Sequence, residues 1–391
     1  MVGAFVGLVA TSRSGATAPY PPSPVVADVE LDWTTHRREA PGSDNWQLTW
    51  ADDDQLYGFW GDGGGLGGTN DQGRVGLGFG RIEGGWQDYR GTNVWGGVDA
   101  ANPAQFAGKS WGTISVDGVL YAWIVPDHPD PAVLGGGKEA AEAWPRDHYR
   151  YIFLARSTDR GATWTRASWR WWREDDLTIP TFLNFGRDNA GARDAYVYSY
   201  FVRPERPDVT QGNFGLSVHR PGVLFLARAR HDQLFDGRDA YEWFTGLVDG
   251  QPQWGPLSAK RPVFEDPAGA GWSVSASHAP GINRYLLATE HETSSSGALG
   301  LFDAPEPWGP WTTVKYWTVE EPFGAQRPGS TLPWKHNVFF FSFVPKWWSA
   351  DGREFTLLFT GAGKGLDNDS LNTIRGRFVL REPRAATPHA R

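Results

Sequence analysis

The chain has 391 residues, a formal net charge of −8 and no cysteine. Disulfides and thiolate chemistry are excluded, and the lack of any basic run argues against a nucleic-acid partner, leaving room only for a local basic cleft that would suit an anionic sugar. Tryptophan (22), phenylalanine (22) and glycine (49) are abundant, a mixture that suits pleated sheet joined by tight turns.

At the N-terminus a short apolar run, Ala4–Ala10, gives way to small residues and prolines. Residues 1–24 are expected to be a leader, either the end of a secretory signal with Ala16-Thr17-Ala18 near its cleavage point or a disordered segment. The signal reading implies a secreted or periplasmic protein. No stretch reaches the roughly 18 apolar residues of a membrane span, so no membrane partner is expected. Residues 25–382 are read as a single catalytic domain and 383–391 as a tail.

Val25–Trp33 reads as a first strand. The stretch from Ser43 to Gly85 then reads as an antiparallel meander: strand Asn45–Trp50, acidic turn Asp52–Asp54, strand Leu56–Trp60, a glycine-rich loop and a third strand near Val75–Ile82. Asp62 sits where that loop leaves the sheet, a place where sites tend to lie. Ser110–Val125 is a hairpin around Asp117-Gly118. An insertion over 126–146 follows, with a short helical patch at Lys138–Trp144. Ser157–Trp164 reads Ser-x-Asp-x-Gly-x-Thr-Trp and resembles the Asp box of sialidase-type propeller blades, a structural turn in which Asp bonds backbone, Gly supplies positive φ and Trp is expected to pack beneath the next hairpin. Further strands are read at Ala195–Phe201, Val223–Arg230, Tyr241–Leu247, Val274–His278, Tyr285–Glu290, Leu299–Phe302, Val338–Val344, Phe355–Thr360 and Thr373–Leu380.

The same sub-pattern of small residue, acidic turn and aromatic strand recurs at Thr49, Ser115 and Ser349. Repeated short strands without long helices predict an all-β fold, a β-propeller. At roughly 45–50 residues a blade, seven blades are expected, with six as the alternative.

Among residues that could carry chemistry, Tyr196, Tyr198 and Tyr200 share a strand face by alternation, as do Arg228 and Arg230, with His231 adjacent. His148 precedes a strand, and Asn184, Arg187 and Arg193 lie in the polar loop before the tyrosines. A tyrosine beside arginines can have its hydroxyl poised to move a proton. His278 is a candidate for the axial cleft, and His128 is expected to be exposed. Asp44, Asp62 and Glu290 are strand-end acids that could act as a pair on a glycosidic bond.

Several segments resemble a group of carbohydrate-active propeller proteins. They are GSDNW-x-x-TWADDD-x-LY-x-x-x-GDG from Gly42 to Gly63, PTFLNFG-x-x-x-AGARD from Pro180 to Asp194, YVYSY at Tyr196–Tyr200, LAR at Leu226–Arg228 and APEPWGPW at Ala304–Trp311. The characterised relatives they are similar to are the seven-bladed propeller polysaccharide lyases, the ulvan and rhamnose–glucuronate lyases. That resemblance implies β-elimination on a uronic-acid-containing glycan. An arginine neutralises the sugar carboxylate, and tyrosine or histidine moves the protons. On this chain it assigns catalysis to Tyr198 and Arg228 with His148 in support, and substrate binding to Trp46, Asp62, Lys109, Asn184, Arg187, Arg193, Tyr200 and His278. It implies a polysaccharide or oligosaccharide partner, a monomer and no cofactor beyond a structural divalent cation, for which no ligand set stands out. Two alternatives stay open: a glycoside hydrolase using Asp62 with Asp44 or Glu290, and a non-catalytic glycan-binding propeller.

Overall fold

A computed structural model of the chain describes residues 16–99, 102–126, 150–205, 217–325, 327, 338–363 and 368–382. His148, His128, the helical patch at 138–144 and the first part of the expected leader lie outside the described residues. Among those described, every long element is a strand, and no helix is long and apolar enough to cross a membrane.

The strands form antiparallel meanders that fan around one axis. The first comprises Asp44–Trp50, Leu56–Gly61, Leu77–Glu83 and Arg90–Trp95. The second begins with Lys109–Val116, Val119–Val125 and Tyr151–Ser157, and ends on the short strand Trp171–Trp172. The third runs from Thr178–Asn184 through Tyr196–Val202, Gly222–Arg230 and Tyr241–Val248. The fourth is Ala270–Ala279, Arg284–Glu290, Leu299–Ala304 and Thr312–Tyr316. The last is Phe339–Phe343, Glu354–Thr360 and Leu371–Leu380, completed by the N-terminal strand Val26–Glu39. The first strand of each meander lies beside the first strand of the next, and that of the last returns to that of the first, so the ring closes.

The expected propeller is therefore present, but it has five blades among the described residues and not seven. The division by blade length failed because long connections, such as 185–195 and 231–240, enlarge each repeat beyond roughly 45–50 residues. The ring is fastened by pairing the two ends of the chain: Val26 lies opposite Leu380 and Glu39 opposite Leu371. Part of the expected leader belongs to the fold, since Pro21 accepts a hydrogen bond from the Thr313 amide at 2.8 Å and the Tyr20 ring packs on Phe264 and Phe302.

Aromatic layers hold neighbouring blades together. Trp123, Trp171, Trp243 and Phe201, all nearly solvent-free, interlock between the second and third blades. The Asp-box turn forms as its sequence implies, but its tryptophan packs on the preceding blade and not beneath the next hairpin. Ser157 and Asp159 bond the turn backbone, Gly161 takes a φ of +84°, and Trp164 packs on Phe59 and Phe79 of the first blade.

All inner strands run in the same direction, so the ring has an upper face where they begin and a lower face where they end. Small polar side chains plug the axis between the two. Thr181 donates to Gln47 Oε1 (3.3 Å), Gln47 donates to the Val274 carbonyl (3.3 Å) and Ser275 to the Phe341 carbonyl (2.6 Å). Only about 20 Å³ is left along this stretch. The two mouths of the ring are thus separate chemical environments.

Candidate active site

The upper mouth is built from the starts of the first two inner strands and the glycine loop of the first blade. Ser43 and Asn45 set the approach. The Ser43 hydroxyl accepts the Gly65 amide at 2.8 Å, and Asn45, at φ +56°, donates its side-chain amide to the Ser110 carbonyl. These bonds hold the loop and the second blade against Asp44. Asp62 also has a left-handed backbone (φ +54°) and is followed by Gly63 in the same region. Aspartate tolerates this conformation better than most residues. The chain can therefore turn back at once and aim the Asp62 carboxylate towards the axis.

Lys109, the first residue of the second inner strand, is only 6% exposed. A buried ammonium is costly unless it is paired. Its Nζ lies 3.0 Å from Asp62 Oδ1 and 4.0 Å from Asp44 Oδ1, and also donates to the Gly76 carbonyl at 3.4 Å. Arg74 grips the other oxygen of Asp62 at 3.2 Å. Gly61 is needed for this arrangement: a Cβ there would stand 2.5 Å from Asp44 Oδ1 and 2.9 Å from Lys109 Nζ. A third carboxyl, Asp369, enters from the last blade, with its backbone carbonyl accepting the Gly42 amide at 2.7 Å.

The two aspartates bound to Lys109 are not equivalent. Asp44 is 5% exposed, and its Oδ1 has no hydrogen-bond partner among the described residues. Burial pushes its carboxyl well above the ordinary carboxylate range. The Lys109 ammonium opposes that shift, and the charges of Asp62 and Asp369 reinforce it. Asp62 is about a quarter exposed and held by two cations. Burial thus favours the acid form of Asp44, while Asp62 lies against two cations, Lys109 and Arg74.

The residues assigned to lyase chemistry do not meet here. Tyr198 and Arg228 are cross-strand partners in the third blade, but they lie in its second and third strands, towards the lower face. Tyr198 is buried and donates to Asp194 Oδ2 at 2.8 Å. Burial, reinforced by that carboxylate, raises its hydroxyl pKa far beyond what a general base needs. Arg228 pairs with Glu242 (2.8 Å) and lies between the rings of Tyr196 and Trp254. Tyr200 is fully buried and donates to the Pro307 carbonyl at 2.6 Å. Asn184, Arg187, Arg193 and His278 also belong to the lower face: Arg187 bonds the Asp52 carbonyl, Arg193 pairs with Glu306, and His278 packs on Phe185 and Tyr285. Trp46 is a core residue stacked near Trp60, its indole donating to the Ser43 carbonyl at 3.1 Å, so it supports the site from beneath without reaching a substrate. Glu290 is fully buried and accepts the Ser295 amide in the fourth blade. Because Tyr198 lies outside the carboxyl cluster, Tyr198→Phe is expected to change kcat/KM on any cleaved glycan by less than about twofold; a loss of a hundredfold or more would restore the lyase assignment.

Asp62, Lys109 and Asp44 were within reach of sequence reasoning. Arg74 and Asp369 were missed. Arg74 lies in the same glycine loop, where a cation near Asp62 could have been noticed. Asp369 is brought in only by ring closure and has no local signal.

No protein-family model and no curated protein matches the chain. Solved structures do resemble it. A protein from Bacteroides ovatus ATCC 8483, provisionally described as a hydrolase, superposes with a TM-score of 0.51 at 12% identity, over 89% of this chain and 90% of that one. RS223-β-xylosidase follows at 0.49 and 14% identity, over 87% and 94% of the two chains. A GH43_1 enzyme from Xanthomonas citri gives 0.45 and 14%, over 90% and 96%. At these identities the likeness to the Bacteroides protein is one of fold, and it agrees with the ring of blades described above.

Proposed function

We propose that the chain is a glycoside hydrolase whose catalytic pair is Asp44 and Asp62. The observation that carries this reading is that one buried ammonium, Lys109, contacts both carboxyl groups at the mouth of the ring. The contacts put their nearest oxygens no more than about 7 Å apart, a span that accommodates the carboxyl pairs of glycosidases. Asp44, kept protonated by burial, donates its proton to the glycosidic oxygen as the bond to the anomeric carbon breaks. Asp62 either takes a proton from the attacking water or attacks the anomeric carbon itself. The anomer of the first-formed product, read by NMR, distinguishes these two roles. In the loop beside Asp62, Gly67 is exposed with open space at its α-carbon, whereas Gly63, Gly64, Gly65 and Gly68 pack against Gly42, Gln72, Trp60 and one another, so a sugar ring could meet the backbone at Gly67. The provisional description of the Bacteroides protein as a hydrolase fits this reading.

The test is release of reducing ends from a panel of plant, algal and bacterial polysaccharides. Asp44→Asn and Asp62→Asn are each expected to lower kcat by about a hundred- to ten-thousandfold, the usual weight of a general acid or base. No ultraviolet absorbance of unsaturated uronate should appear. Undiminished release by either variant, or growth of that absorbance, would sink the proposal.

A further inference from the structure

The third blade carries a second open cleft, of about 570 Å³, lined by none of Asp44, Asp62 or Lys109. Arg203, which directly follows the strand ending at Val202, meets Lys260 and Arg261 there. The Lys260 ammonium is half-buried and lies 4.8 Å from the centre of the Phe225 ring. Burial lowers its pKa; the charges of Asp176 and Asp175 oppose that shift, and the charge of Arg203 adds to it. Asp176 is the one carboxylate of the lining, and Thr245 supplies a hydroxyl. Among the described residues, none of the three cations forms an ion pair.

This concentration needs a reason. Acids outnumber bases in this chain, 45 to 37, so carboxylates are available for neutralising exposed cations. Elsewhere in the third blade arginines do take them, as Arg228 takes Glu242 and Arg193 takes Glu306. Three like charges sharing one concavity repel one another, and an oxyanion seated between them would relieve that repulsion. A bare oxyanion would leave Asp176 repelling it from the same cleft. A sugar carrying the anion resolves the conflict, because its hydroxyls can donate to Asp176 while its charged group faces the cations.

We propose that this cleft binds a sugar residue bearing an anionic substituent (carboxylate, sulfate or phosphate), with Arg203, Lys260 and Arg261 on the anion and Asp176 and Thr245 on the ring hydroxyls. It would hold an acidic branch or a distant unit of a glycan and does not depend on what Asp44 and Asp62 do. Calorimetric titration of the full chain at low salt, with glucose 6-phosphate as the probe, tests it. Saturable binding with a Kd of about 1 mM is expected, weakening as salt is raised. Arg203→Gln combined with Lys260→Met keeps the aliphatic stem over Phe225 and should weaken binding by about tenfold or more. Glucose and inorganic phosphate should each bind at least about tenfold more weakly than the probe. Three results would overturn the assignment: no saturation by about 20 mM probe, unchanged affinity in the double variant, or inorganic phosphate binding as tightly as the sugar phosphate. Because binding is read directly, failure here is separable from failure of the hydrolase reading.

Discussion

Lys109→Met is expected to lower kcat by about a thousandfold while leaving the chain folded. The ammonium contacts both proposed catalytic carboxyls. Removing it leaves Asp44, Asp62 and Asp369 facing one another with Arg74 as the remaining cation of the cluster. The ammonium opposes the raised pKa of Asp44, so its removal should raise that pKa further and move the basic limb of the pH–rate profile to higher pH. The methionine stem fills most of the space, which limits the packing loss. Lys109→Arg keeps the charge but not the shape. The site between Gly61 and the Gly76 carbonyl fits a narrow ammonium, and a planar guanidinium is not its equivalent. A loss of about tenfold, with the basic limb unmoved, is the expected result for arginine. If methionine leaves kcat within about threefold of the parent, the lysine is merely structural and the paired-carboxyl mechanism loses its organising charge.

The same cluster shows what the sequence could and could not disclose. Asp62 stood out because a strand ended beside a loop with almost no side chains, and Asp44 because it began the preceding strand. Both signals are local. Hairpins around Asp117-Gly118 and the Asp box were legible for the same reason: their turns are specified by the residues that make them. The tyrosine–arginine cluster was misread for a different reason. Strand alternation put Tyr196, Tyr198 and Tyr200 on one face and Arg228 with Arg230 on another, but it says nothing about cross-strand register, radial position in a ring or which mouth a side chain approaches. Each of the two already has its carboxylate, Asp194 for the tyrosine and Glu242 for the arginine. Both partners of that pair are thus satisfied, whereas Asp44 has a buried oxygen without a hydrogen-bond partner among the described residues. Blade number was equally beyond local signals, because the lengths of connections do not reveal which strands close the ring.

Asp44→Asn is expected to abolish hydrolysis and, at the same time, to raise stability at neutral and mildly basic pH. In the unfolded chain this carboxyl titrates near the usual value of about 3.9. In the folded protein burial raises it well above that range. The folded state therefore holds the proton more tightly. The stabilisation that proton provides is fully present below the unfolded pKa and is lost as pH rises through the folded one. At pH 8 the parent bears the cost of either a buried charge or an uptake of a proton from dilute solution, and asparagine removes both. A gain of about 1 kcal/mol or more, read as a Tm higher by roughly 1–2 °C, is expected at pH 8. At pH 3 both states of the parent are protonated and the difference should vanish. The corresponding limb of the activity profile runs the same way: kcat/KM of the parent falls on the basic side as Asp44 gives up its proton. Lower stability of the variant at pH 8 would mean that Asp44 is held as an anion by Lys109. The general acid would then have to be sought at Asp62 or Asp369.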